Sequence, residues 1–123
     1  MKDLNESYED YLKAIYIISR RNKGGWVSNL EISECLNVKP PSVSDMLHKL
    51  KEKGLVNWEP RKSIRLTDKG KEIAIKMIQN YNILYKFFKQ ILKIKDNSLL
   101  EDLCCGIEHH MTPEISESLQ GLL

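Results

Sequence analysis

The stretch Pro41-Ser42-Val43-Ser44-Asp45-Met46-Leu47-His48-Lys49-Leu50 is followed by Gly54, by Leu55-Val56-Asn57-Trp58, by Glu59-Pro60-Arg61-Lys62-Ser63 and by Ile64-Arg65-Leu66, and this run decides the fold. Val43, Met46, Leu47 and Leu50 repeat at helical spacing, so the first piece reads as a helix with one buried face. It starts at Pro41 or Ser42, because proline fits the first turn of a helix, and it stops at Gly54. The two short β-prone pieces around a turn containing proline read as a two-strand ribbon. Upstream, Tyr8, Leu12, Ile15, Tyr16 and Ile18 mark a first helix, with Ser7 as its N-cap and Asp10 three residues on. It ends near Arg21, before Asn22-Lys23-Gly24-Gly25. Ser28 caps a short second helix carrying Leu30, Ile32 and Leu36, which Asn37-Val38-Lys39-Pro40-Pro41 breaks. Three helices and then a ribbon form a winged helix-turn-helix. The short second helix braces the third, which is shaped to enter the major groove.

Beyond the ribbon, Thr67 caps a long helix that runs from Lys71 to about Leu92 with Ile75, Ile78, Ile83, Leu84, Phe87, Phe88 and Ile91 on it. Lys95-Asp96-Asn97 is a turn, Leu99 to about His110 is another helix, and Thr112-Pro113 opens a last short one with Ile115 and Leu119. The fold class is mainly α. A winged helix-turn-helix over residues 1–72 precedes a helical domain over 73–123.

The chain has 123 residues, 41% hydrophobic and 29% charged, with a net charge of +2. That composition excludes disorder, and the length excludes a large multidomain enzyme. No apolar run approaches the roughly 20 residues of a membrane span. The acidic, polar N-terminus does not read as a signal peptide. Three cysteines, two of them adjacent, make no disulfide framework, so a reduced cytoplasmic protein is expected. Charge is segregated: residues 37–76 carry ten basic and five acidic groups, whereas residues 99–123 carry no Lys or Arg and five acidic groups. A basic middle suggests a polyanion-binding element.

On the third helix Ser42, Ser44, Asp45, His48 and Lys49 face outward, with Lys39 and Pro41 at its start. The small hydroxyls can approach phosphates or base edges closely. Arg61, Lys62 and Arg65 on the wing suit phosphate or minor-groove contact. Winged helices also serve as protein-interaction modules, and Asp45 on the reading face repels phosphate unless it accepts a hydrogen bond from cytosine.

Cys105-Gly106-Ile107-Glu108-His109 places a thiol, a carboxylate and an imidazole at i, i+3 and i+4. Those positions share one helix face, a partial coordination shell for a divalent transition metal. Asp10 on the first helix is the candidate fourth ligand. His110 points about 100° away from His109. A buried cysteine above an exposed glutamate and histidine fits the same spacing without a metal. Cys104 and Cys35 read as core. Nothing in the pattern supplies an oxyanion hole for nucleophilic catalysis by Cys105 with His109, so no catalytic residue and no small organic substrate are expected.

Glu9-Asp10-Tyr11-Leu12-Lys13-Ala14-Ile15-Tyr16, Val38-Lys39-Pro40-Pro41-Ser42-Val43-Ser44, Lys53-Gly54-Leu55-Val56, Leu66-Thr67-Asp68-Lys69-Gly70 and Gly106-Ile107-Glu108-His109-His110 occur in that order. Together they closely resemble the metal-dependent repressors of the diphtheria toxin repressor and manganese transport regulator family. The resemblance implies a winged helix-turn-helix joined by a long helix to a helical dimerisation domain, with the metal held between them. It implies Asp10, Cys105, Glu108 and His109 as ligands. Lys13 stands where the manganese type has a second carboxylate. Tyr81 and Tyr85 stand where the family places a histidine and, in iron-type members, a glutamate. One metal per subunit is therefore expected. Asp10 matches the manganese type and Cys105 the iron type, so iron(II) or manganese(II) leads, with zinc, cobalt and nickel admitted by the thiolate. A chain stopping at Leu123 fits the short two-domain type, without an SH3-like third domain.

The expected function is that of a homodimeric repressor of metal-uptake or metal-homeostasis genes. It would bind a double-stranded DNA operator with a divalent metal as co-repressor, and it would have no membrane partner. The apolar side chains of the long helix, with residues 99–123, would form the dimer interface. The alternatives are a winged-helix regulator sensing thiol oxidation through Cys104 and Cys105, and an interaction module that binds no DNA.

Overall fold

A computed structural model of the chain describes residues 4–59 and 62–123. Arg61, one of the expected wing contacts, lies outside the described residues. The chain divides into two compact units, Met1–Ile75 and Lys76–Leu123. The first unit holds helices α1 (Leu4–Arg21), α2 (Asn29–Leu36) and α3 (Pro40–Glu52), strands β1 (Val56–Asn57) and β2 (Arg65–Leu66), and the start of α4 (Asp68–Lys86). The second holds the rest of α4, then α5 (Asn97–Ile107) and α6 (Pro113–Gln120).

The start of α1 corrects the expected cap: Ser7 lies inside the helix, not before it. Leu4, Asn5 and Glu6 extend the helix upstream, and Glu6 sits in the first turn, where its carboxylate opposes the positive end of the helix dipole. Each added residue also closes a further backbone bond, which outweighs a local side-chain cap. Ser28 does cap α2, in a complete box. Its hydroxyl accepts from the Glu31 N–H at 3.1 Å, and the Glu31 carboxylate accepts from the Ser28 N–H at 3.0 Å. Asn37 ends α2 in the left-handed conformation, with φ 54°.

Helix α3 begins at Pro40, one residue before the expected start. Proline lacks only a donor that the first turn would leave unused, and the Lys39 carbonyl takes the N–H groups of Ser42 and Val43 instead. Gly54, at φ 73°, turns the chain out of α3.

The wing is shorter than the pattern suggests. Val56 pairs with Leu66 and Asn57 with Arg65, antiparallel. Ile64 pairs instead with Val27, through two backbone bonds of 2.9 and 2.7 Å, so the loop before α2 forms a third edge at the wing root.

The first core gathers Leu12 and Ile15 of α1, Ile32, Val43, Leu47 and Leu50 of α2 and α3, and Val27, Val56, Ile64 and Leu66 around the wing. Met46, expected inside, is half-buried against this cluster.

Helix α4 begins at Asp68, directly after its expected cap Thr67, with Lys71 already inside it. The Thr67 hydroxyl accepts from the Gly70 N–H at 3.2 Å and donates to the Gly54 carbonyl at 2.7 Å. Gly70 itself is buried, and a Cβ there would collide with the Leu55 carbonyl oxygen. The downstream end departs from a continuous helix, because Phe87–Ile91 widens into a π turn. Asp96 then caps α5 through the Leu99 N–H, and Thr112 caps α6 through the Ile115 N–H. Among the described residues no helix is long and apolar enough to cross a membrane.

Candidate DNA-reading face and metal centre

Helix α3 buries Val43, Leu47 and Leu50, and this fixes what its other side presents. Pro41, Ser42, Asp45, His48 and Lys49 are exposed, as is Lys39 at the cap. Ser44 is half-buried, and its Oγ accepts a 2.9 Å hydrogen bond from Asn29 Nδ2 at the start of α2. The His48 ring meets Trp58 edge to face, with centroids 4.7 Å apart, so the imidazole is held over the wing rather than swinging in solvent.

The two described wing cations differ. Lys62 is exposed and pairs with Glu59 at 2.9 Å. That pair, with both side chains solvated, is weak and easily exchanged for a phosphate. Lys62 accordingly holds Glu59 below the usual carboxylate range. Arg65 is committed elsewhere. Its guanidinium lies over the Trp26 ring, 4.3 Å from the centroid, and it donates to the Gly24 carbonyl. Gly24 and Gly25, both at positive φ, form the turn that brings this carbonyl to the wing. Sequence reasoning does not single out Asn29, Trp26 or Trp58 as functional. An asparagine just after a capping serine is the one local signal for Asn29.

In the second unit, Leu100, Cys104 and Glu108 repeat every four residues and are all buried. This stripe explains where the expected ligands fall. Glu108 continues the buried face as α5 tightens into a 3₁₀ turn over Glu108–His110. Cys105, one position round, is exposed, and Cys104 packs inside as expected of a core thiol. Cys35 on α2, also expected in the core, is exposed instead, because Ile32 and Ser33 take the buried side of that short helix.

The side chains of Glu108 and His109 are each 1% exposed, with Oε1 and Nε2 4.0 Å apart. Two donors on one ion, at bonds of about 2.0–2.2 Å, lie no more than about 4.4 Å from each other, so this pair fits a shared cation. A carboxylate and an imidazole are the donors a borderline divalent metal accepts. Asn80, buried on α4, donates from Nδ2 to the Glu108 carbonyl at 3.4 Å and accepts at Oδ1 from the Ser116 hydroxyl at 3.2 Å. The backbone under the pair is thus tied to α4 and α6.

Tyr81 stands near Cys105. Burial first, then the negative potential of Cys105, Glu101, Cys104 and Tyr85, pushes its phenol up to about 12. Its ring stacks on Tyr85, with centroids 6.1 Å apart. Asp10 is half-buried on α1, in the first unit.

The sequence matches two family profiles: the iron dependent repressor N-terminal DNA binding domain over residues 3–64, and the iron dependent repressor metal binding and dimerisation domain over residues 67–123. It is 34% identical to an uncharacterized HTH-type transcriptional regulator of Methanocaldococcus jannaschii, over 95% of this chain and 92% of that one. Among solved structures, the manganese regulator SloR superposes with a TM-score of 0.77 at 28% identity, over 94% of this chain and 52% of that one. IdeR of T. acidophilum does so with a TM-score of 0.72 at 28% identity, over 90% and 51%. ScaR with bound Zn2+ gives 0.76 at 26% identity, over 94% and 52%. The chain thus spans about half the length of these solved relatives. Profile matches over both halves, and a relative matched almost end to end, establish that the chain belongs to the iron-dependent repressor family, the metal-dependent DNA-binding transcriptional regulators of diphtheria toxin repressor and manganese transport regulator type.

Proposed function

We propose that this chain is a homodimeric repressor of metal-uptake or metal-homeostasis genes whose affinity for a double-stranded operator depends on one divalent metal per subunit. The observation that carries the reading is the buried Glu108–His109 pair, at 4.0 Å. A carboxylate and an imidazole withdrawn from water at that spacing are the donor types that a divalent transition metal accepts. Asp10 and Cys105 complete the proposed donor set, following the family motif. Manganese(II) and iron(II) lead as the metal, and zinc, cobalt and nickel are also accepted by such donors.

Operator contact is assigned to Lys39, Pro41, Ser42, Ser44, Asp45, His48 and Lys49 on α3, with Lys62 and Arg61 from the wing. Arg65 serves the wing by bracing its root. Dimerisation draws on exposed apolar side chains of the second unit, among them Ile91, Leu92, Leu99, Ile115 and Leu122. When bound, the metal supplies a positive centre that favours one arrangement of the chain, to the extent that it binds that arrangement more tightly. In typical coupled systems this amounts to about 1–3 kcal/mol.

The test is operator binding by reduced protein with and without manganese(II) or iron(II). Tighter binding with metal supports the reading. Equal binding in both states, together with loss of binding on thiol oxidation, replaces it with a thiol-sensing regulator, a role open to the exposed Cys105.

A further inference from the structure

Asn29 is the first residue of α2 and Ser44 lies in α3, and the 2.9 Å bond from Asn29 Nδ2 to Ser44 Oγ joins the two helices. A serine hydroxyl can donate or accept, and which it offers to a ligand depends on how its neighbours occupy it. Here the amide N–H uses an acceptor site on the hydroxyl oxygen. The hydroxyl hydrogen is thereby left to point elsewhere, and the Ser44 side chain lines a groove with Leu30, His48, Trp58, Lys62 and Ser63.

The orientation of the amide follows from hydrogen-bond accounting. Asn29 Oδ1 is buried and has no hydrogen bond. Turning the amide over would bury an NH2, with two donors to satisfy instead of one acceptor, and the cost of unpaired polar groups would rise. Asn29 therefore presents its donor to Ser44.

We infer that Asn29 is a positioning residue of the DNA-reading face, which occupies one Ser44 lone pair, keeps the Ser44 hydrogen available for donation and so biases base preference at one operator position. This rests on the reading that α3 contacts DNA. A donor in the major groove selects guanine O6 or N7, adenine N7 or thymine O4. Toward the exocyclic amines of cytosine and adenine, which require an acceptor, only one Oγ lone pair is left. Asn29 touches no base in this scheme and acts only through the direction of one hydrogen.

The experiment is selection of bound duplexes from a randomised library by the manganese(II)-loaded protein, comparing wild type, Ser44→Ala, Asn29→Asp and Asn29→Ala. The carboxylate introduced by Asn29→Asp would be nearly isosteric with the amide and well placed at a helix N-terminus, but it can only accept. It would draw the Ser44 hydrogen inward and turn the hydroxyl lone pairs outward. The expected result is that Ser44→Ala flattens the preference at one position. Asn29→Asp should then invert that same position toward an amine-bearing base, by about threefold to tenfold, as one hydrogen bond of about 1 kcal/mol allows. Asn29→Ala should flatten it, since the hydroxyl is then free to rotate. Any uniform loss of affinity from the added charge leaves this position-specific readout intact. Thermal melts of the four proteins separate misfolding from altered reading, and Asn29→Ala stands in if Asn29→Asp does not fold. If Ser44→Ala changes the preference while both Asn29 variants keep the wild-type base, the inference is overturned. If Ser44→Ala itself changes nothing, the assignment of Ser44 to the DNA contact is what fails, and the role of Asn29 falls with it.

Discussion

Thr67 Oγ1 donates a 2.7 Å hydrogen bond to the Gly54 carbonyl, thirteen residues upstream, while accepting from the Gly70 N–H just downstream. The Thr67 N–H also bonds the Leu55 carbonyl at 3.0 Å, so one residue ties the exit of α3 to the entry of α4 across the wing. Gly70 lets the two backbones approach, because no side chain stands between its Cα and the Leu55 carbonyl. This is the physical content of the Lys53-Gly54-Leu55-Val56 and Leu66-Thr67-Asp68-Lys69-Gly70 segments: together they form a clasp that sets where the wing leaves the core.

Opening the clasp should cost stability in two graded ways. Thr67→Ala loses the cap and the cross-link, worth about 1–2 kcal/mol. Gly70→Ala forces a Cβ against a carbonyl oxygen and should cost about 1–3 kcal/mol or more, despite alanine's better helix propensity. Thermal unfolding should show both, with Gly70→Ala the lower in Tm. A Gly70→Ala protein as stable as wild type would mean that α4 can shift away from Leu55.

The Ser28–Glu31 box gives a pH signature. The Glu31 carboxyl is held below the usual range, first by the hydrogen bond from Asn22, then by the Ser28 backbone N–H, against a smaller opposing effect of burial. A depressed folded-state pKa contributes stability that is present above the unfolded value and lost as pH falls through the folded one. Glu31→Gln should therefore lower Tm near neutral pH and leave a shallower acid limb. Parallel acid limbs in wild type and variant would show that the carboxylate adds nothing.

For the metal centre, Glu108→Gln keeps the size of the buried side chain and removes its charge, so it should fold and bind metal far more weakly. His109→Ala should abolish the metal response of operator binding. Cobalt(II) reports on the thiol, because a Cys105 ligand gives a near-ultraviolet charge-transfer band that Cys105→Ser removes. A band that persists in Cys105→Ser would take this thiol out of the donor set.

The wing cations should separate by role. Lys62→Ala should weaken binding evenly on all sequences and reduce the salt slope by about one, as for a lost phosphate contact. Arg65→Ala removes the cover of Trp26 and the bond to Gly24, and should show chiefly as lost stability, about 0.5–1 kcal/mol from the ring contact. A larger salt effect from Arg65 than from Lys62 would reverse the two assignments.

Much of this is readable in the chain because the signals are local. Ser28 followed three residues later by Glu31, Thr112 before Pro113, and the spacing of Val43, Leu47 and Leu50 each decide a helix end or a buried face over a few residues. What stays hidden depends on distant partners. Val27 reads as loop until Ile64 arrives to pair with it, and Asn29 gains meaning only opposite Ser44. Ser7 misleads because its side chain resembles a cap while the three residues before it continue the helix. In Cys105-Gly106-Ile107-Glu108-His109, helical spacing puts the three residue types on one face by number alone. It does not show that Leu100 and Cys104 set the buried face, which takes Glu108 inward and leaves Cys105 exposed.

The chain's two tryptophans both belong to the first unit, Trp26 beneath the Arg65 guanidinium and Trp58 against the His48 ring. The protein therefore carries its own optical label on one half. Selectively excited indole emission reports the wing root and the reading helix, while the second unit, which has tyrosines but no tryptophan, stays dark. DNA docking, and unfolding of the reading half, can each be followed without attaching a dye.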